Sequence, residues 1–239
     1  MVAVSAVGFI CIDDENFGSN RKYSYQVAEL LNKYNMLWAS NGVRCTSAEK
    51  KDLIHYKKNG CSSMKFGIES GSQTMLDIME KKFEVSDIKK AIFSSIEIGL
   101  ASPLQGFMVG MPGETLKTAK ESGQLLGELA AKLRVPLKLI YKDHGIFYCI
   151  PLVGTPMYEY GKQLGLIGQT VDEEEKYLEL TSNIAQHKRY YINFNGAPIS
   201  EVVFWDILIF LEATRTYVKL MKGKSEDENL KKKYNIFYA

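Results

Sequence analysis

The residues able to do chemistry in this chain stand where apolar runs stop abruptly. Phe66 and Ile68 lead into Glu69-Ser70-Gly71-Ser72, and Leu104 to Val109 leads into Gly110-Met-Pro-Gly113-Glu114-Thr115. Ala6 to Ile12 ends in Asp13-Asp14, and Met36 to Ser40 ends in Asn41-Gly-Val-Arg44. Glu69 can accept from hydroxyl or ammonium groups, Ser70 can donate or accept, and Arg44 offers a fork matched to a carboxylate. Gly110 and Gly113 let main chain approach a ligand closely, while the amides around Gly71 face the space beyond the strand. Each residue also has a structural alternative. Glu69 can be a solvated turn carboxylate, Arg44 can pair with Asp14 or Glu69, Asp13 and Asp14 can cap helices, and Glu114 can favour a helix dipole.

Five strand-and-helix units must position these residues. Each apolar run rich in β-formers precedes a stretch with helical spacing: Tyr23, Val27, Leu30 and Leu31 after the first, and Leu53 and Ile54 after the second. Ser70 with Gln73, and Thr46 with Glu49, have capping-box spacing, while Gly60 and Gly99 suit left-handed helix ends. The third helix breaks near Lys81 to Glu84 and resumes through Ile88, Ile92 and Ile96. The fourth unit continues through Leu125, Leu129 and Leu133. The fifth strand, Gly145 to Ile150, leads to Gly154-Thr155-Pro156 and a helix over Tyr158 to Leu164. Such alternation calls for a parallel sheet with right-handed crossovers, in which every strand end lies on one face. Asp13, Asp14, Asn41, Arg44, Glu69, Ser70, Gly110, Gly113, Glu114 and Thr155 would then share one mouth. The remainder is helical: Asp172 to Tyr190, then Glu201 to Met221 as a helix covering the sheet, and a mixed-charge tail from Lys222.

A chain of 239 residues with 46% apolar and 24% charged residues can bury one full core. The net charge of +2 comes from interspersed Lys and Glu, which form no basic stripe for nucleic acid. No run is long and apolar enough for a membrane span, because Asp206, Glu212 and Arg215 interrupt the best one. Cys11, Cys45, Cys61 and Cys149 are dispersed, with no metal-site or disulfide spacing, which fits a reducing cytoplasm. Cys11 and Cys149 read as inert core thiols. His144 and His187 have no nucleophile or ligand partner at a telling spacing, and no Walker A or GxGxxG pattern marks a phosphate site.

The ordered motifs Phe66-Gly-Ile-Glu-Ser-Gly-Ser72, Gly106-Phe-Met-Val-Gly-Met-Pro-Gly-Glu-Thr115 and Pro151-Leu-Val-Gly-Thr-Pro-Met-Tyr158 resemble the radical SAM superfamily. With Ile12-Asp-Asp-Glu-Asn-Phe17 and Asn41-Gly-Val-Arg44, the resemblance is to its cobalamin-associated branch and covers about residues 6 to 165. It implies a partial parallel (β/α) barrel over 1–165 and a C-terminal helical extension over 166–239. It also implies S-adenosylmethionine at the mouth, held by Glu69, Ser70, Gly71, Arg44, Asn41, Gly110, Gly113 and Glu114, with Asp13 and Asp14 on the substrate side. In that family a [4Fe-4S] cluster on a CxxxCxxC loop cleaves S-adenosylmethionine reductively to a 5′-deoxyadenosyl radical, and some members use cobalamin. This sequence has no CxxxCxxC, and the match starts at the family's second strand. The resemblance therefore implies the SAM-binding portion of an iron-sulfur enzyme, inactive by itself, whose partner is the missing cluster-binding segment. The alternative is a non-catalytic SAM- or partner-binding module that has lost the cluster loop.

Overall fold

The apolar runs form parallel strands, and the periodic stretches between them form the crossover helices. The structure, a computed structural model, describes residues 8–102, 106–134, 145–182 and 187–225. In chain order the elements are β1 (Phe9–Asp13), α1 (Arg21–Lys33), β2 (Leu37–Arg44), α2 (Lys50–Lys58), β3 (Cys61–Gly67), α3 (Gln73–Ile78) and α4 (Val85–Glu97). They continue with β4 (Phe107–Val109), α5 (Leu116–Leu133), β5 (Ile146–Tyr148), α6 (Pro156–Gln163), α7 (Val171–Thr181), α8 (Ile199–Val202) and α9 (Trp205–Met221). Ala6, Leu104 and the tail beyond Ser225 lie outside the described residues.

β1 pairs with β2 in the register Phe9 to Leu37 through Asp13 to Asn41, and β2 pairs with β3. β4 pairs with β5, and every ladder is parallel. Single bridges at Ser63–Ala101 and Glu69–Phe107 join the two groups, so strand order follows chain order. The result is a partial parallel (β/α) barrel with a helical extension. Asp13, Asn41, Glu69 and Gly113 stand at its C-terminal mouth, whereas Gly60 and Gly99, with φ of +88° and +74°, turn the chain at the opposite end.

Helix starts differ from the expected capping boxes. Asp52 reaches back to the Glu49 amide at 2.9 Å, so α2 begins at Glu49 and not at Thr46. Ser70 does not cap α3, because its hydroxyl is taken up inside the preceding turn by the Ser72 amide at 3.1 Å, and Ser72 becomes the N-cap. The third helix does break as the pattern predicts, resuming with Asp87 bonded to the Glu84 amide at 2.9 Å. Thr115, Thr155 and Thr170 cap α5, α6 and α7 through their hydroxyls.

Trp38, Val43, Met64, Phe66 and Ile68 supply the strand side of the core, and Leu53, Tyr56, Leu76, Ile88, Ile92 and Leu129 supply the helix side. β1 departs from expectation: Phe9, Cys11 and Asp13 are exposed and only Ile10 and Ile12 turn toward the core. Among the described residues β1 pairs with β2 alone, so one edge and one face of it stay open. The long C-terminal helix also differs. Its first turn separates as α8, and α9 packs on α5 and leaves Ile207, Leu211 and Val218 exposed, because the buried face carries Trp205, Ile209, Ala213 and Met221. Among the described residues no helix is long and apolar enough to cross a membrane.

Two glycines permit that helix contact. A Cβ on Gly123 would stand 2.5 Å from the Ile209 carbonyl oxygen, and one on Gly127 would stand 2.5 Å from that of Ala213. Gly127→Val should therefore force α9 away from α5 and cost about 1–3 kcal/mol in urea unfolding. An unchanged midpoint would contradict this packing.

Candidate functional site

Glu69 occupies the centre of the mouth because its own main chain closes the sheet. Its amide donates to the Gly106 carbonyl at 2.8 Å, and its carbonyl accepts from the Met108 amide at 2.7 Å. This requires φ of +62°, a left-handed conformation that a non-glycine residue adopts at a cost of about 1 kcal/mol or more. The carboxylate lies over Gly67, where a Cβ would come within 3.1 Å of Oε1. Lys81 Nζ pairs with the same oxygen at 3.0 Å, the two side chains being 29% and 21% exposed. Arg44 takes neither structural partner suggested by the sequence. Its guanidinium donates to the Lys81 carbonyl and lies 5.6 Å from the Phe83 ring centroid. Lys81 thus ties Glu69 and Arg44 into one basic and acidic cluster. Only the helix break at 81–84 marks Lys81 in the sequence, and nothing in the residue pattern points it toward Glu69.

On the first two strands Asn41 Nδ2 donates to Asp13 Oδ1 at 2.6 Å and lies 3.4 Å from Cys11 Sγ. The pair follows from the register, which sets Asp13 beside Asn41. Cys11 is therefore an exposed thiol on the open face of the sheet, not a core thiol. Asp14 turns away from this group. Its carboxylate accepts from the Asn16 amide at 2.8 Å, and its carbonyl oxygen sits where a Cβ on Gly42 would be 1.6 Å away.

Ser70 and Gly71 meet α5. Ser70 Oγ is 3.1 Å from Ser122 Oγ, which also accepts from the Gly71 amide at 3.0 Å. A Cβ on Gly71 would approach Glu121 O and Ser122 Cα at 2.6 Å. Here glycine serves close helix packing, and the Ser70 hydroxyl is buried.

Glu114 is also turned inward, and only 3% of it is exposed. Its Oε2 accepts from the Gly110 amide at 2.6 Å, while Gly110 and Gly113 both have φ of +82°. Burial pushes the Glu114 carboxyl up to about 7, against the opposing pull of the Gly110 and Met111 amides. Tyr191 OH donates to the Gly110 carbonyl at 2.8 Å, and Asn195 Nδ2 donates to the carbonyls of Met111 and Glu114 at 3.0 and 2.7 Å. Tyr191 and Asn195 lie in an irregular stretch after α7, where the sequence predicts helix up to Tyr190. No periodic signal marks them. Thr155 caps α6 at the end of the β5 unit.

Cys45, Cys61 and Cys149 are buried, and burial pushes each thiol up to about 12. Among the described residues no three His, Cys, Asp or Glu side chains could hold a metal ion together. The residues described therefore do not fit an iron-sulfur cluster. His144 lies outside the described residues, and His187 Nε2 contacts the Thr181 carbonyl at 3.0 Å.

The chain is 31% identical over 120 residues to the anaerobic magnesium-protoporphyrin IX monomethyl ester cyclase of Rubrivivax gelatinosus, a match spanning 48% of this chain and 21% of that protein. The cyclase of the same name from Cereibacter sphaeroides is 29% identical over 127 residues, covering 51% of this chain and 21% of its own length. An uncharacterised methyltransferase of Pyrococcus horikoshii is 24% identical over 196 residues, or 77% of this chain and 40% of that one. The chain thus spans about a fifth of the length of the two cyclases. Among solved structures, Methanocaldococcus infernus Elp3 with an N-terminal deletion aligns with a TM-score of 0.46 and 14% identity, over 93% of this chain and 61% of that chain. No family model matches. The sequence relatives bear out the resemblance to the radical SAM superfamily that the motifs carry.

The inward carboxyl has a consequence for stability. Because the folded-state pKa of Glu114 lies above its ordinary 4.5, the folded chain retains a proton between those values that the unfolded chain has released. The contribution of Glu114 to stability is therefore complete below about pH 4.5 and lost as pH rises through about 7, a span worth at most about 3 kcal/mol. Glu114→Gln should flatten that part of the pH dependence in urea unfolding between pH 5 and 8. The same slope in both proteins would remove Glu114 as its source.

Proposed function

We propose that this chain is the SAM-binding portion of a radical SAM iron-sulfur enzyme and is inactive alone. The observation that carries this reading is the convergence of Asp13, Asn41, Arg44, Glu69, Gly110 and Gly113 at one barrel mouth, in the order of the family motifs. Glu69 is the residue best suited to a nucleoside, being an anionic acceptor at the mouth that stays partly exposed. Arg44 and Lys81 supply positive charge beside it, which suits a carboxylate on the same ligand. Gly113 would border the nucleoside with main chain, and Gly110, buried beneath Tyr191, would hold that loop in place. Ser70, Gly71 and Glu114 would act from behind, by holding the main chain that the ligand meets, and Asp13 with Asn41 would face the substrate side. Asp14 would shape the loop that carries Asp13.

In this reading residues 1–165 form the partial barrel and 166–239 its helical extension. The cluster, and cobalamin if the whole enzyme uses it, would depend on segments outside this chain, and a cluster-binding segment would be its partner. Four free cysteines suit a cytoplasmic setting, with neither a membrane nor nucleic acid as partner.

Calorimetry with S-adenosylmethionine and S-adenosylhomocysteine should give similar, weak affinities, lowered about tenfold by Glu69→Ala, as expected for a hydrogen bond to a charged group. An unchanged affinity would remove Glu69 from the site. Anaerobic reconstitution with iron, sulfide and a strong reductant should leave the chain without stoichiometric cluster and without 5′-deoxyadenosine, because its thiols are dispersed and mostly buried. Stoichiometric iron together with that product would instead show a complete enzyme. Nucleoside binding that survives while no added cluster-binding segment restores chemistry would favour the non-catalytic module.

A further inference from the structure

The loop from Gly110 to Glu114 is gripped from two sides. From within, Glu114 Oε2 takes the Gly110 amide at 2.6 Å. From outside, the Tyr191 hydroxyl takes the Gly110 carbonyl at 2.8 Å, and the Tyr191 ring lies where a Cβ on Gly110 would be only 2.5 Å away. Asn195 ties both ends of the intervening turn through Met111 O and Glu114 O. Asn193 supports this second jaw by accepting from the Tyr191 hydroxyl at 3.2 Å and from the Asn195 amide at 3.0 Å. Gly113, on the far side of the loop, rests against Ile78 at the end of α3. A loop restrained at Gly110 and at Met111–Glu114 has little freedom left except through the bonds of the Glu114 carboxyl.

We propose that Glu114 is a positioning residue, whose carboxylate draws the Gly110 and Met111 main chain inward against the Tyr191–Asn195 jaw and so sets how tightly the glycine rim holds a nucleoside. The proposal rests on the reading of this mouth as a nucleoside site. An ionised carboxylate accepts from the Gly110 amide in a charge-assisted bond and attracts the neighbouring Met111 amide, whereas the protonated group offers one good acceptor and brings a donor among donors. The groups facing the carboxyl are Tyr148 and Cys149 from the β5 side and Tyr191 from the jaw; burial holds all three thiol or phenol protons more firmly, and the Glu114 charge adds to it. The Lys188–Asp206 pair stands behind Tyr148, with Lys188 Nζ 5.6 Å from that ring centroid. Among the described residues no ion pair neutralises Glu114, so its protonation passes to the loop without a buffering cation. The carboxyl's midpoint near pH 7 makes the latch responsive in an accessible range.

The test uses the full chain and two readouts. Amide signals of Gly110 and Met111 should titrate between pH 6 and 8, moving downfield as the carboxylate forms, and Glu114→Gln should abolish the titration. Affinity for S-adenosylhomocysteine should rise about fivefold over the same range, the scale expected when a neutral hydrogen bond becomes charge-assisted, and should be flat and low in Glu114→Gln. Tyr191→Phe should weaken binding without removing the pH midpoint. Amides that do not titrate, that titrate equally in Glu114→Gln, or that lose protection as the carboxylate forms would each overturn the proposal. Amides that titrate in a chain that binds no nucleoside at any pH would support the latch and overturn the nucleoside reading.

Discussion

At the C-terminal mouth the two halves of the sheet are joined by the main chain of one residue. β1 to β3 form one ladder and β4 with β5 another, and at the mouth they meet through the two hydrogen bonds of Glu69. To make both, the chain must bend at the end of β3, and the bend puts φ at +62° in a residue with a full side chain. Glycine would adopt that conformation without cost, and Gly67 stands only two positions earlier. The fold therefore spends conformational strain on keeping a carboxylate where a glycine would suit the backbone better, and such spending is characteristic of functional sites. The empty side of Gly67 completes the exchange, since it receives the carboxylate that the bend brings over the strand.

From that junction the remaining geometry follows. The chain leaving Glu69 must turn into α3, and the buried pair of Ser70 and Ser122 fixes the turn against α5. α3 is short, so the chain returns over the mouth at Lys81, where the ammonium meets Glu69 and the carbonyl meets Arg44. Positive φ values at Glu80 and Lys82, +52° and +55°, show how sharply the return is made. A helix continuing straight from Gln73 would carry Lys81 away from the mouth. The break between α3 and α4 thus shapes the mouth as well as serving as a joint in the crossover.

How much of this the sequence discloses depends on whether a signal is local. Strand ends are local, because Asp13, Asn41, Glu69 and Gly110 each follow an apolar run directly, and the parallel alternation then places them together. The interrupted helix is local too. Side-chain direction is not. The pattern around Ser70 has the spacing of a capping box, yet the hydroxyl is taken up by Ser72 and Ser122, and Ser122 lies 52 positions away. Cys11 has the apolar neighbours of a core thiol, but the face of β1 it occupies has nothing packed on it among the described residues. The long apolar stretch after Val202 suggests a helix lying on the sheet. Its actual partner, α5, is identified only by Gly123 and Gly127, whose missing side chains matter once two helices are brought together.

Glu114 shows the same limit in its sharpest form. Placed just before the Thr115 N-cap, an acidic residue is expected to face solvent and favour the dipole of α5. Two features of the local backbone defeat that expectation. The left-handed glycines at 110 and 113 fold the loop back so that the Gly110 amide points into the protein, and a buried amide needs an acceptor. Once the C-terminal stretch lays Tyr191 over Gly110 and occupies its carbonyl, Glu114 meets that need from within the loop itself. The carboxyl is then desolvated as a result of satisfying the backbone, and its raised pKa is the thermodynamic record of that exchange. The helical extension is accordingly more than a cover for α5. Through Tyr191 and Asn195 it fixes the main chain of the mouth, so the conformation of the rim depends on residues some 80 positions further along the chain.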